Sequence, residues 1–232
     1  MKVLILAAGL GTRLQPLTND RPKALVKLKG KTFLEHALDK VSAEGCNDIV
    51  VNVHHFADQV EVLLNKKYPD HKINISDERQ EILGTGGAIK HAQQFLGDEP
   101  FLVYNVDVIS DIDLKLMLQE FKDSQADVLM AVRDRETVRK LCFDNKRLCG
   151  WKNKNTGELK GRDGKEFAFS GIQIIDPVIL ENMPSGNFSI IEYYVSIADK
   201  KKIIAYDHSH GMWMDLGTPE RLEEAESIDP IY

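Results

Sequence analysis

Short apolar runs rich in Val, Ile and Phe alternate along the chain with longer segments in which apolar residues recur at helical spacing. Such runs are typical of strands buried on both faces, and such segments are typical of the helices that cover them. The alternation predicts an α/β fold, a three-layer α/β/α sandwich around a mostly parallel, Rossmann-like central sheet. The predicted strands are 2–6, 48–53, 72–76, 101–105 and 127–132, and the predicted helices are 33–44, 57–66, 87–96 and 114–122.

The second half of the chain changes in texture. Residues 142–166 are rich in Lys, Arg, Asn and Gly and poor in large apolar side chains, which predicts a hairpin-rich insertion beside the active site. A solvated excursion with no role fits the same composition. Regular structure is expected to resume with a strand at 167–175, a helix at 189–199, a strand at 203–206 and a terminal helical segment from 219. At 232 residues, the chain is expected to form a single domain over 1–232.

Charge and cysteine content restrict the partners. Thirty basic against 36 acidic residues give a net charge of −6, which argues against nucleic acid or an anionic membrane as a partner. Three cysteines without a C-x-x-C pair are typical of a reduced, cytoplasmic protein. No apolar stretch approaches the length that spans a bilayer, so a soluble protein is expected.

The first 25 residues contain the strongest chemical signal. The strand at 2–6 leads into a loop with Gly9 and Gly11, and the cations Arg13 and Lys23 follow. Glycines let backbone N–H groups approach a ligand closely, so this segment predicts a phosphate site. The third glycine of the dinucleotide fingerprint is replaced by Leu14, and the P-loop spacing is absent. An ordinary turn with scattered surface charges would not account for both cations following the loop so closely.

Four motifs in order give the chain a specific resemblance. They are Leu6-Ala7-Ala8-Gly9-Leu10-Gly11-Thr12-Arg13-Leu14, Leu83-Gly84-Thr85-Gly86-Gly87, Asn105-Val106-Asp107 and Trp213-Met214-Asp215-Leu216-Gly217-Thr218-Pro219-Glu220. In these motifs the chain resembles the sugar-1-phosphate nucleotidyltransferases, over nearly its whole length. The resemblance implies the nucleotide-diphospho-sugar transferase fold, here without the β-helix domain of larger relatives. Within the family, the short chain, the Gly86-Gly87 pair and the Phe-Ser-Gly strand are similar to the N-acetylmuramate 1-phosphate uridylyltransferases, while the mannose- and heptose-1-phosphate guanylyltransferases share much of the pattern.

The resemblance implies a reaction in which a sugar 1-phosphate attacks the α-phosphate of a nucleoside triphosphate and releases pyrophosphate. Because the attacking group is already an anion, positioning and charge neutralisation carry the catalysis. The matching catalytic residues are Arg13, expected at the departing pyrophosphate, and Lys23, expected at the α-phosphate and incoming phosphate. The matching carboxylates for Mg²⁺ are Asp107 and Asp215, and Mg²⁺ takes carboxylate and phosphate oxygens together.

The resemblance also implies binding residues. For the nucleotide they are Leu6, Ala7, Ala8, Gly9, Gly11, Thr12, Arg13, Gly84, Thr85 and Gly86. For the sugar they are Asn105, Gly171 and Glu192, although Gly171 also fits an ordinary strand glycine and Glu192 an exposed helix carboxylate. One position departs from the family, which usually has glycine where this chain has Val106, and a β-branched residue there is expected to alter the approach to the sugar or ribose.

Two other functions stay open at this point. A glycosyltransferase of similar nucleotide-binding fold would use Asp111 and Asp113 as a metal-binding D-x-D, which leaves Arg13 and Lys23 without a task. The same Asp111-x-Asp113 pair fits equally well as a cap for the helix expected to begin near Leu114. A nucleotide-sugar sensor would bind without turnover, although its charged positions are all filled. A homodimer is the default expectation for assembly.

Overall fold

The computed structural model describes residues 1–69 and 71–228, in which strands and helices alternate through the first half. The helices are α1 (Phe33–Ala43), α2 (Ala57–Lys67), α3 (Gly84–His91), α4 (Gln93–Leu96), α5 (Leu114–Ser124), α6 (Ile190–Ile197) and α7 (Pro219–Glu226). The strands are β1 (Lys2–Leu6), β2 (Lys27–Leu28), β3 (Lys31–Thr32), β4 (Asp48–Val53), β5 (Lys72–Asp77), β6 (Phe101–Asn105), β7 (Val108–Ser110), β8 (Val128–Arg133), β9 (Arg139–Asp144), β10 (Arg147–Asn153), β11 (Leu159–Gly161), β12 (Lys165–Ile175), β13 (Ile203–Asp207) and β14 (Trp213–Asp215).

One half of the main sheet is parallel. Its strand order is β6, β1, β4, β5, and each neighbouring pair runs in the same direction. At the carboxyl end of β1, Leu6 lies in register with Asn52 on one side and Asn105 on the other. Open α/β sheets bind their ligands at this end, so the topology directs attention to the loops that follow these three strands.

The other half of the sheet is mixed, which corrects the expected mostly parallel sheet. Strand β12 runs antiparallel to β6, β8 and β9, and β10 pairs with both β9 and β13. Because β13 also pairs with β8, the five strands β8, β12, β9, β10 and β13 close on themselves as a partial barrel. The direct β9–β10 hairpin turns at Asn145 and Lys146, both at positive φ, and needs no helical crossover.

Strand β12 bends where it passes from one half to the other. Its register against β8 shifts between Phe169 and Gln173, and Gly171 within that shift has φ +77°. Left-handed φ values of this kind favour glycine. The irregularity therefore allows β12 to pair with β6 at its carboxyl-terminal half and with β9 at its start.

Helices cover both faces of the parallel half. Val3 and Ile5 belong to a core that includes side chains of α1, α2 and α5, while Leu4 between them belongs to a second core with side chains of α3, α4 and α6. This alternation follows from the two-residue period of a strand. Helix α1 starts with a capping box in which Thr32 accepts from Glu35 N and the Glu35 carboxylate accepts from Thr32 N.

The predicted elements of the first half are confirmed to within a few residues, with one informative exception. Helix α3 starts at Gly84 rather than at residue 87, so the Gly-Thr-Gly-Gly motif forms its first turn. In the region 142–166, strands β9, β10 and β11 pair with the main sheet, and a solvated excursion does not describe it. Over the residues described, the search for a helix long and apolar enough to cross a bilayer finds none.

Candidate active site

A cleft of about 500 Å³ opens at the carboxyl ends of β1 and β6. Ten of the residues that line it are predicted site residues: Leu6, Ala8, Gly9, Arg13, Lys23, Gly84, Thr85, Asn105, Asp107 and Asp215. Six further residues line it that were not among the predicted ones: Asn52, Glu78, Ile82, Ala88, Val106 and Arg139. All four motifs therefore meet at one place, although they are spread over more than 200 residues of chain.

The glycine loop is fastened to the neighbouring strand by a buried polar network. The N–H groups of Ala7 and Ala8 donate to Asn52 Oδ1 at 2.5 and 3.2 Å. Asn52 Nδ2 in turn donates to Glu78 Oε1 at 2.8 Å, and Leu83 N donates to Glu78 Oε2 at 3.3 Å. The network thus holds the first and second motifs together. Ala7 does not line the cleft, and its N–H instead anchors the loop to Asn52.

Burial shapes the chemistry of this network. Asn52 and Glu78 are only 2% and 3% exposed. Burial raises the pKa of the Glu78 carboxyl, against the opposing effect of the hydrogen bonds from Asn52 and Leu83. The one sequence signal for these residues is their position at the carboxyl edge of the sheet, where such folds bind ligands: Asn52 is the penultimate residue of β4, and Glu78 directly follows β5.

Lys23 is held in place by Gly11. Gly11 has φ +64°, and a Cβ there would lie 2.9 Å from Lys23 Cβ and 3.0 Å from Thr18 Cγ2. The Thr18 hydroxyl donates to Gly11 O at 2.9 Å, which closes this turn. Gly11 and Thr12 do not line the cleft, and Gly11 acts here by letting the loop pack directly against the stem of Lys23.

Lys23 and Asp107 form an ion pair inside the cleft. Lys23 Nζ donates to Asp107 Oδ2, and the two side chains are only 14% and 13% exposed. A charge pair this shielded from water interacts more strongly than a surface pair. Lys23 is therefore aimed at the same point of the cleft as the carboxylate.

The two predicted metal ligands are brought together by a small two-stranded sheet. Strands β7 and β14 pair antiparallel, so Asp215 lies opposite Val108, the residue after Asp107. Leu216 N also donates to Asp107 O at 2.8 Å. Strand β7 is absent from the predicted strands, because three residues are too few to show a period.

Arginines surround the Asp215 carboxylate. Its Oδ1 accepts from Gly217 N at 2.8 Å, and its Oδ2 lies 3.1 Å from Arg221 Nη1. A Cβ at Gly217 would lie 2.7 Å from Asp215 Oδ1 and 2.8 Å from Arg13 Nη2. Gly217 therefore leaves room for the Arg13 guanidinium beside the carboxylate.

The donor set fits a magnesium ion that is completed by substrate. Among the residues that the structure describes, no group of three or more His, Cys, Asp or Glu side chains is arranged to hold a metal. Mg²⁺ is usually bound through one or two carboxylates together with phosphate oxygens and water, so Asp107 and Asp215 suffice. The cations Lys23 and Arg13 beside them suit the phosphates that such an ion would accompany.

The glycines of the second motif are divided between the cleft and the packing of α3. Gly84 and Thr85 line the cleft, and Thr85 Oγ1 accepts from Ile190 N at 3.0 Å. Gly86 lies behind them: its N–H donates to Phe188 O at 2.9 Å, and a Cβ there would lie 2.2 Å from the Phe188 ring. The structure thus brings Gly84 and Thr85 to the cleft and does not bring Gly86 there.

The predicted sugar residues fall in two places. Asn105 lines the cleft, and Gly171 lies behind it, where a Cβ would come within 2.8 Å of Asn105 Nδ2. Glu192 instead lines a second cavity of about 580 Å³, where its Oε1 lies 2.8 Å from Lys160 Nζ. Arg139 lines both the cleft and the second cavity, so the two meet at this residue.

The aspartates of the alternative D-x-D have structural contacts. Asp113 Oδ1 accepts from Lys115 N and Leu116 N, both at 2.9 Å, which makes it the N-cap of α5. Asp111 Oδ2 accepts from Met212 N at 2.9 Å. Neither is among the described residues that line the cleft.

The chain is similar in sequence to known proteins over most of its length. The family described as "Nucleotidyl transferase" matches residues 2–141. N-acetylmuramate alpha-1-phosphate uridylyltransferase of Caulobacter vibrioides is 35% identical over 97% of this chain and 95% of its own length. Mannose-1-phosphate guanylyltransferase catalytic subunit beta of Drosophila pseudoobscura pseudoobscura is 31% identical over 94% of this chain, which spans 60% of that relative.

Solved structures give the same picture of the fold. HddC from Yersinia pseudotuberculosis complexed with GMP-PN superposes with a TM-score of 0.78 at 28% identity, covering 97% of both chains. A UDP-glucose pyrophosphorylase complexed with UDP-glucose superposes with a TM-score of 0.76 at 22% identity, covering 97% of this chain and 96% of the other. The second similarity concerns the fold alone.

Proposed function

The chain belongs to the nucleotidyl transferase family and is a sugar-1-phosphate nucleotidyltransferase, and we propose that UTP and N-acetylmuramate 1-phosphate are its substrates. The relative from Caulobacter vibrioides, named for this reaction, matches the chain at nearly full length on both sides. About two fifths of the guanylyltransferase relative lies outside the matched region, so its substrates are the weaker guide. GTP with mannose or heptose 1-phosphate is the alternative pair.

The observation that carries the proposal is the meeting of two acidic and two basic side chains in one cleft. Asp107 and Asp215 come from distant motifs and are joined through β7 and β14, and Lys23 and Arg13 lie beside them. Joining two polyanions requires charge neutralisation more than it requires a base. This arrangement supplies it without a serine or cysteine nucleophile.

Each cation has a distinct task in the proposed reaction. Lys23, a point charge on a flexible stem, would leave its contact with Asp107 and follow the α-phosphate as negative charge develops there. Arg13 would hold the departing pyrophosphate with its planar fork of donors. The backbone of Ala8 and Gly9, fixed through Asn52, would lie along the nucleotide.

A magnesium ion is the proposed cofactor. Asp107 and Asp215 are the residues that would hold it, and when bound it would neutralise phosphate charge and orient the triphosphate. The chain's own part is to bring the two carboxylates together, with Asp107 directly before β7 and Asp215 at the end of β14, and to keep Arg13 and Lys23 within reach of the same phosphates.

A matrix of the four common nucleoside triphosphates against several sugar 1-phosphates, with pyrophosphate release as the signal, tests the proposal. The highest kcat/KM is expected for UTP with N-acetylmuramate 1-phosphate, and release is expected to require Mg²⁺. A maximum for GTP with mannose 1-phosphate would replace the substrate pair and keep the reaction. Binding of nucleotide sugars without any pyrophosphate release would favour a sensor instead.

A further inference from the structure

The second cavity has a charge pattern that the nucleotide motifs do not explain. It is lined by three cations, Arg135, Arg139 and Lys160, and by the carboxylates Glu158 and Glu192. Lys160 is neutralised within the cavity, since its Nζ lies 2.8 Å from Glu192 and 3.8 Å from Glu158. Among described residues, no carboxylate lies within 4 Å of Arg135 or Arg139.

Arg135 is fixed in place and is incompletely partnered. Its Cζ lies 4.6 Å from the centroid of the Trp213 ring, and its Nη2 donates to Phe169 O at 3.4 Å. Its Nε is buried and has no hydrogen-bond partner among the described residues. Buried charges in proteins are normally paired, so a guanidinium held this way points to an anion that arrives with a ligand.

Arg139 occupies a different place, at the junction where the cleft and the second cavity meet. It is exposed, at the start of β9, and it lines both spaces. A sugar 1-phosphate whose phosphate lies beside Asp107 and Lys23 would pass this junction with its sugar in the second cavity. The two arginines therefore lie at successive points along such a substrate.

We propose that the second cavity selects a sugar that carries its own carboxylate, with Arg135 as the specificity residue that binds this carboxylate and Arg139 as the residue that steadies the 1-phosphate. The proposal rests on the proposed function, because it assigns the sugar of that reaction to the second cavity. Trp213, which packs on Arg135, lies two residues before Asp215 on β14. Arg135 thus packs against the strand that carries Asp215, one of the proposed metal ligands.

Two sugar phosphates that differ only by a carboxylate-bearing ether group test the proposal. N-acetylmuramate 1-phosphate and N-acetylglucosamine 1-phosphate are compared by kcat/KM in pyrophosphate release, for the wild-type chain and for Arg135→Met. The wild type is expected to favour the acidic sugar, and Arg135→Met is expected to lower kcat/KM for the acidic sugar about 10- to 100-fold, the range of a lost charge-assisted hydrogen bond, with the neutral sugar within about twofold.

Arg133→Met is the matched control. Arg133 also lies against the Trp213 ring, with Cζ 5.6 Å from its centroid, but it is not among the residues that line the second cavity. Its removal is expected to leave the ratio between the two sugars unchanged. An equal loss on both sugars in Arg135→Met, or the same change of ratio in Arg133→Met, would overturn the proposal.

A second measurement needs no substitution. The carboxamide of N-acetylmuramate 1-phosphate keeps the size of the group and removes its charge, and the wild-type chain is expected to use it about 10-fold less well or worse. Equal use of acid and amide would overturn the acid-binding role of Arg135 while the reaction itself stands. If no sugar phosphate supports pyrophosphate release, it is the proposed function that fails.

Discussion

The two halves of the sheet are built by different rules and, in the proposed reaction, would bind different parts of the substrates. The parallel half, β6-β1-β4-β5, presents the cleft through loops at its carboxyl edge. The second cavity lies on the other half, where side chains from β9, β10, β11, β12, α6 and the connecting segments line it. In the proposed reaction, backbone groups and fixed charges of the cleft would bind the nucleotide, and side chains of the second cavity would bind the sugar.

The largest expected effect separates the proposed metal ligands from other acids. Asp215→Asn is expected to lower kcat for pyrophosphate release by about 10³-fold or more, since an amide neither carries the charge nor binds Mg²⁺ well. Asp113→Asn is the matched control, because asparagine caps a helix as well as aspartate does. Strong loss in Asp113→Asn with normal turnover in Asp215→Asn would move the metal to the D-x-D pair.

The next effect tests whether the early cations act in the transition state. Lys23→Met is expected to lower kcat by about 10²-fold, with a smaller change in nucleotide affinity, because its charge matters most as the α-phosphate gains charge. Steady-state kinetics give kcat, calorimetry gives the nucleotide affinity, and the two losses are then compared.

Arg21→Met is the control for Lys23→Met. Arg21 pairs with its neighbour Asp20, is 44% exposed and is not among the residues that line the cleft. It is expected to leave kcat within about twofold, as surface ion pairs contribute little. Equal kcat in Lys23→Met and the wild type would remove Lys23 from the reaction.

The sequence predicted the parallel half well for a physical reason. Buried parallel strands show continuous apolar runs, and the helices between them show a 3.6-residue period, so β1, β4, β5, β6 and their helices could be predicted. The position of Lys23 and Asp107 at one cleft could be expected because the motifs that contain them resemble those of a known family.

The rest of the site depends on pairings that no local pattern shows. Asn52 and Glu78 form a hydrogen bond although they lie 26 residues apart in the sequence. Strand β7 is recognised as a strand only from its pairing with β14. Arg135 and Arg139 meet in the second cavity because β12 bends at Gly171 and closes the barrel. The antiparallel pairs that β10 and β12 form in the second half also explain why the prediction of a mostly parallel sheet was wrong.

Two glycines near the cleft are expected to respond in opposite ways. Gly86→Ala is expected to destabilise the chain by about 1–3 kcal/mol in urea unfolding, because its Cβ would lie 2.2 Å from the Phe188 ring. A Cβ at Gly9, which lines the cleft, would meet no described atom within 4 Å. Gly9→Ala is therefore expected to keep stability and to raise KM for the nucleotide several-fold.

The pair separates packing from binding within the two glycine motifs. In the double variant Gly86→Ala with Phe188→Leu, the smaller side chain at position 188 makes room for the new Cβ, and part of the lost stability is expected to return. A stable Gly86→Ala with weakened nucleotide binding would assign Gly86 to the nucleotide after all.

The smallest expected effect is a pH dependence of the free energy of unfolding that comes from His208 in the second half of the chain. Burial lowers the pKa of His208 to about 4, and its Nε2 lies 2.7 Å from Ser170 Oγ on β12. The unfolded chain, with a His pKa near 6.5, then binds the proton more readily than the folded chain. The contribution of His208 to the free energy of unfolding is therefore expected to be complete above pH 6.5 and to be lost as the pH drops toward 4. The expected loss is roughly 1–2 kcal/mol after allowance for the exposure of the ring.

Urea unfolding at pH 7 and pH 5 measures this effect. His208→Gln is expected to reduce the difference between the two pH values, whereas His210→Gln, at an exposed position, is expected to keep it. A difference that is identical in the wild type and His208→Gln would show that other groups control it.

The most direct test of the account is to locate the divalent ion. Crystals of the chain soaked with Mn²⁺ and a non-hydrolysable nucleoside triphosphate would be measured for anomalous scattering. One peak is predicted within about 2.0–2.4 Å of carboxylate oxygens from both Asp107 and Asp215. A peak at Asp111 and Asp113, or carboxylates of Asp107 and Asp215 turned away from the ion, would contradict the account.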